Sequence, residues 1–253
     1  ERARYFRATS VWPLTEKFDS AAWLSNFSED EKRFAIQLLN NFLYFNKPLT
    51  ESLFRASFQA LSREISARHV CMSTAINKWD DFCRRMIVVR VVGENENDTD
   101  SGYLFARMAR DKLGIPENQI VSPESALQKI RSGGSHNVIF VDDFSGTGNQ
   151  FITTWFKPYK LGEKDNESFH SLDAAAKARC SFYYCPTVIT EKGKKAIIEE
   201  CLGVQVFSAY CLGEEYSVLN PDSYIWRDSF KADGPEFVRY ISRRLGIPDT
   251  GGN

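Results

Sequence analysis

Between residues 138 and 149 the chain places two carboxylates, two hydroxyls and two glycines in an order that can hold a sugar phosphate. The run reads Val138, Ile139, Phe140, Val141, Asp142, Asp143, Phe144, Ser145, Gly146, Thr147, Gly148, Asn149. Four consecutive apolar residues fit a strand buried on both faces, expected to end at Val141. Ligands of open α/β sheets sit beyond the carboxyl ends of the strands, so Asp142 and Asp143 are expected to project where a ligand would lie. Residues 145–148 are expected to form a tight bend that opens a helix. Gly146 and Gly148 let the backbone approach closely, N–H groups at a helix start favour phosphate, and the Ser145 and Thr147 hydroxyls can add hydrogen bonds. Paired carboxylates beside such a cradle suit a ribose 5-phosphate, accepting from its 2- and 3-hydroxyls directly or through Mg²⁺. A Walker-type phosphate loop is excluded, because no Gly-Lys-Ser/Thr follows.

A strand, a bend and a helix need a sheet around them. Residues 87–92 are a short β-branched run that reads as a buried strand. Residues 102–113 are amphipathic through Leu104, Phe105, Met108, Ala109 and Leu113, and Gly114 and Pro116 end them. Residues 119–121 read as a brief strand, and Ser122 caps a helix with Pro123 at its first position. After the bend, 149–156 reads as a helix stopping before Pro158, 159–173 as polar loop, 181–190 as strand, 191–201 as helix and 204–212 as strand. A last helix carries Phe237, Val238, Ile241 and Leu245. Strands alternating with helices of about ten residues imply βαβ units and a parallel sheet.

Upstream the period is helical. Ser28 and Glu31 form a capping box, and Phe34, Leu38, Leu39, Phe42 and Phe45 recur at helical spacing. Pro48 breaks the run and Thr50 restarts it with Leu53, Phe54, Phe58, Leu61 and Ile65, which predicts a helical hairpin. Trp12, Trp23 and Phe27 are expected to pack beneath it, and a third helix is expected over 73–86. The fold class expected is α/β, a parallel sheet with an N-terminal helical subdomain, divided as 1–85 and 86–253.

Bulk properties exclude several classes. The 253 residues carry a net charge of −1, so nothing global points to a nucleic-acid coat or an anionic membrane. No run of about 18 apolar residues offers a membrane span. The first residues carry no apolar signal core, which points to a cytoplasmic protein. Glu1 and the closing residues 249–253 are expected to be trimmed edges of a longer product. The six cysteines, at 71, 83, 180, 185, 201 and 211, form no CxxC pair and no zinc spacing, and are expected to be reduced thiols. His69, His136 and His170 are scattered, and His136 sits at the wrong end of its strand to meet the acid pair. Lys192, Lys194 and Lys195 are expected on a solvated face, with nucleic acid as the other reading. Glu214, Glu215 and Tyr216 follow the last strand, where base recognition is one reading. Tyr224 and Trp226 are expected to pack rather than to stack on a base.

The run 138–149 is similar to the phosphoribosyl-pyrophosphate (PRPP) signature of type I phosphoribosyltransferases, matching strand, acid pair and Thr-Gly loop without gaps. The resemblance implies a sheet of phosphoribosyltransferase type over roughly residues 85–215. Asp142 and Asp143 would be the catalytic pair that holds the ribose hydroxyls and Mg²⁺. Phe144, Ser145, Gly146, Thr147, Gly148 and Asn149 would hold the 5-phosphate of PRPP or a nucleotide while an N-glycosidic bond is made or broken. Residues 1–85 lie outside the standard core. Such a helical lead resembles the phosphoribosyltransferase-like proteins of bacterial conflict systems, including retrons, which implies an anti-phage role and a partner protein or nucleoprotein.

Three departures from the family pattern keep a second reading open. Residues 93–101, where working transferases bind pyrophosphate, carry four carboxylates, which repel it unless a metal intervenes. Only residues 132–137 stand where a long closing loop is usual. Gly146 takes the place of an acidic base found in some purine-specific members. The alternative is a non-catalytic sensor whose pocket binds a nucleotide and sets the state of a partner.

Overall fold

The computed structural model describes residues 2–13, 17–66, 71–92, 101–163 and 165–247. In chain order the elements are α1 (Arg2–Ala8), α2 (Ser20–Ser25), α3 (Glu29–Asn40), α4 (Lys47–Ser66), α5 (Met72–Arg84), β1 (Met86–Arg90), α6 (Ser101–Leu113), β2 (Ile120–Val121), α7 (Pro123–Arg131), β3 (His136–Ser145), α8 (Asn149–Phe156), β4 (Tyr159–Lys160), β5 (Asn166–Glu167), α9 (Ala174–Arg179), β6 (Cys180–Thr190), α10 (Glu191–Glu200), β7 (Val204–Val206), β8 (Tyr210–Leu212) and α11 (Gly234–Arg244). They fall into two compact units, Thr50–Cys211 and Glu1–Leu49 with Leu212–Asn253.

The larger unit is built on a sheet of order β2-β1-β3-β6-β7, with β8 also paired to β6. Every neighbour along that order is parallel, so the expected parallel α/β sheet is present. Both faces are covered, which is why its central strands are continuous apolar runs. On one face Val138, Phe140, Phe182 and Tyr184 pack against Leu127 and Ile130 of α7, Phe151 and Trp155 of α8, and Ile197 of α10. On the other, Ile139, Val141, Tyr183 and Cys185 pack against Phe105 and Met108 of α6, Phe54, Phe58 and Leu61 of α4, and Phe82 of α5. The stripe over 53–65 thus covers the sheet itself. Local signals set the helix starts: Ser122 accepts the Ser125 N–H at 3.3 Å and Asp173 accepts the Ala176 N–H at 2.6 Å.

Strand ends depart from the sequence reading. β3 does not stop at Val141 but pairs with β6 through Phe144↔Val188 and Ser145↔Ile189. Pairing with a long central neighbour outweighs the poor strand propensity of two aspartates. The strand expected over 204–212 splits into β7 and β8, and the polar stretch after Pro158 carries the antiparallel pair β4–β5.

The smaller unit joins the two ends of the chain. Phe34 of α3 stacks on Phe237 of α11, with ring centroids 4.9 Å apart, and meets Phe230 edge-on. The capping box at Ser28 and Glu31 is formed, and Glu31 also pairs with Arg244 at 2.6 Å. Trp12 is buried among Phe6, Phe18 and Phe42, while Trp23 packs on Phe27. Among the described residues no helix is long and apolar enough to cross a membrane. All six cysteines are free thiols.

Candidate functional site

Because β3 continues past Val141, strand alternation sends its two acids to opposite faces. Asp142 follows Val138 and Phe140 inward and is 1% exposed. Its Oδ1 accepts the Asp143 N–H at 2.9 Å and its Oδ2 accepts the Tyr184 O–H at 3.0 Å. Burial, reinforced by the neighbouring charge of Asp143, pushes the Asp142 carboxyl up to about 8. It therefore keeps its proton at neutral pH. Burial also drives the Tyr184 hydroxyl well above its ordinary range, with the charge of Asp142 adding to the effect. Asp143 is half-buried, and its Oδ1 accepts the Phe144 N–H at 2.7 Å. The pair expected to face a ligand together is thus divided, and Asp143 is the member that meets solvent.

The bend follows directly. Phe144 is 50% exposed and its ring lies 3.3 Å from where a Cβ on Gly146 would stand. Ser145, expected to lend its hydroxyl to the cradle, is buried at the end of β3. Thr147 Oγ1 accepts the Asn149 N–H at 3.3 Å. Gly148 is the N-cap of α8 at φ +85°, the left-handed region where a side chain is strained. A Cβ there would also stand 2.9 Å from the Gly193 carbonyl. The first N–H groups of α8 have no carbonyl within their own helix to bond, and they carry the positive end of its dipole. The bend is a backbone surface suited to an anion.

Three residues that shape the bend were not singled out by sequence. Tyr184 holds Asp142. Thr190, the N-cap of α10, donates its hydroxyl to the Gly146 carbonyl and accepts the Gly193 N–H at 2.9 Å. Gly193 lies so close to the bend that a Cβ would collide with the Gly146 carbonyl and stand 3.1 Å from the Gly148 nitrogen. One signal existed: a glycine inside a helix costs about 1 kcal/mol against alanine, and often marks a close backbone approach. Thr154 of α8 also anchors the stretch after β1, donating to the Val92 carbonyl at 3.0 Å and accepting its N–H at 3.2 Å.

The remaining candidates scatter. Lys192 is exposed, Lys194 half-buried, and Lys195 pairs loosely with Glu199 at 3.9 Å, in keeping with a solvated face. His136 opens β3 at the end away from the acids, its ring nitrogen 3.3 Å from the Gly133 carbonyl. Trp226 is buried and donates to the Val218 carbonyl at 2.9 Å, which is packing, whereas Tyr224 is exposed and edge-on to Tyr216. Glu214, Glu215 and Tyr216 form a 3₁₀ turn of the smaller unit. Of the acidic stretch after β1, residues 93–100 lie outside the described residues. Among the described residues no group of three or more His, Cys, Asp or Glu could hold a metal ion. A polar cavity of about 440 Å³ lies near the amino ends of β3 and β6, lined by Arg131, Asp165, Glu167, Asp173 and Arg179. Its Arg131 is already paired with Asp165 and Glu167.

Set beside known proteins, the chain matches the family model PRTase-CE over residues 21–252. No curated protein matches it. Among solved structures, the crystal structure of orotate phosphoribosyltransferase from Aeropyrum pernix is similar over 79% of this chain and 78% of that one, at 12% identity and a TM-score of 0.35.

Proposed function

The chain belongs to the PRTase-CE family, and on that premise we propose that it binds PRPP or a nucleotide at the bend 144–149 and makes or breaks an N-glycosidic bond. The observation that carries this reading is the Gly-Thr-Gly bend, which presents the backbone at the start of α8 immediately after the acid pair. The ligand's 5-phosphate would rest on the N–H groups of the bend, and Asp143 would accept from the ribose hydroxyls. Catalysis would come from positioning the ribose and stabilising a cationic ribosyl centre with carboxylate charge.

The donor set fits Mg²⁺ through Asp143, since this ion binds with one or two carboxylates and takes phosphate oxygens and waters for the rest. Bound there, it would neutralise the ligand's phosphates. Asp142 joins that set only on leaving Tyr184 and losing its proton. We assign the protein to a retron-type anti-phage system in the cytoplasm, acting on or with a partner protein or nucleoprotein. The resemblance of its helical lead to conflict-system proteins supports that assignment.

Titration calorimetry with PRPP and with nucleoside monophosphates, with and without Mg²⁺, tests the site. Asp143→Asn should weaken PRPP binding about tenfold or more. Absence of binding by both ligand classes to the unaltered protein would sink the proposal. The inward turn of Asp142 favours a second reading, a nucleotide sensor without turnover. Binding with neither base release nor pyrophosphate release would select it. Turnover abolished by Asp142→Asn with Asp143→Asn in a folded protein would select the enzyme.

A further inference from the structure

We propose that Thr190 and Gly193, at the start of α10, are positioning residues that aim the Thr147 N–H of the bend at the ligand's phosphate. The inference rests on the site reading above and extends it to a neighbouring strand and helix.

β3 and β6 leave the sheet side by side, in register to Ser145↔Ile189. One strand then enters the bend and the other enters α10. At this point the backbone ladder is replaced by a side chain. The Thr190 hydroxyl donates to the Gly146 carbonyl while its oxygen accepts the Gly193 N–H. A trans peptide is planar, with its C=O and the following N–H pointing in opposite directions. Holding the Gly146 carbonyl toward α10 therefore turns the Thr147 N–H away from α10, to the open side of the bend. Gly193 makes this approach sterically available, since any side chain there would strike the Gly146 carbonyl. Gly148, in the left-handed region with its own back against the Gly193 carbonyl, then completes the turn into α8.

Thr190 also caps α10, so its loss lowers stability whatever it does for a ligand. The test separates the two roles. Thr190→Val keeps the shape and removes the hydroxyl, Thr190→Ser keeps the hydroxyl, and Ser122→Ala removes a comparable cap on α7 away from the bend. With PRPP as the calorimetric probe, at a temperature where all variants are folded, Thr190→Val should bind about ten- to a hundredfold more weakly. Thr190→Ser and Ser122→Ala should bind within about threefold of the unaltered protein. In amide NMR spectra titrated with inorganic phosphate, the Thr147 signal should shift in the unaltered protein and in Thr190→Ser, but not in Thr190→Val. Thr190→Val binding PRPP as the unaltered protein does, or Ser122→Ala losing as much, would overturn the inference. So would a phosphate titration that moves other bend signals and leaves Thr147 still, although the site reading would survive it. No binding by the unaltered protein would remove both.

Discussion

Asp142 couples the candidate site to pH. Its carboxyl titrates ordinarily near 3.8 and in the folded protein at about 8. Between those values the folded chain holds a proton that the unfolded chain has released. The contribution of this group to stability is therefore fully present below about pH 4 and is lost as pH rises toward 8. Asparagine is an uncharged isostere of the protonated acid, and its side-chain oxygen can accept the Asp143 N–H as Asp142 Oδ1 does. Asp142→Asn should flatten that slope and raise stability at pH 8 by on the order of a few kcal/mol, with little change near pH 4. Urea unfolding of both proteins at the two pH values checks this, and parallel curves would show that the group does not titrate in the window. The residue types of the site were legible, because an acid pair followed by Thr-Gly on a strand end is a rare string. The separate fates of Asp142 and Asp143 were not. They follow from strand pairing that continues four residues beyond the apolar run, and that pairing is set by β6 rather than by the acids.

Among the elements, the bend is shaped from behind by a helix that sequence reading took for a solvated face. The reading was right for the lysines and silent about the glycine between Lys192 and Lys194. Gly193→Ala should push α10 and the bend apart, lowering stability by about 1–3 kcal/mol and weakening PRPP binding. An alanine at this position that unfolds and binds like the unaltered protein would show that the crossing is looser than described. Helices and strands were mostly found where periodicity put them. What periodicity could not convey was the partner. The apolar stripe of Phe54, Phe58 and Leu61 reads the same whether it faces another helix or a sheet, and only the core containing Val88, Ile139 and Val141 decides it.

For the molecule as a whole, the division into units crosses the chain order. Residues from both ends meet around Phe34, Trp226 and Phe237, and no local pattern announces such a pairing. Phe237→Ala should destabilise the smaller unit by about 3 kcal/mol. Hydrogen exchange should then rise in α3 and α11 while the amides of β3 keep their protection. Equal loss of protection in β3 would mean that the two units unfold as one. The same arrangement dictates an order of events on the ribosome. Every residue of the sheet unit is made before α11 exists, so that unit can close as soon as it emerges, whereas α3, made early, must wait for nearly the last of the described residues before its aromatic face is covered. A nascent chain whose first 211 residues have all left the ribosome should therefore carry a closed sheet unit and an N-terminal segment still open to chaperones.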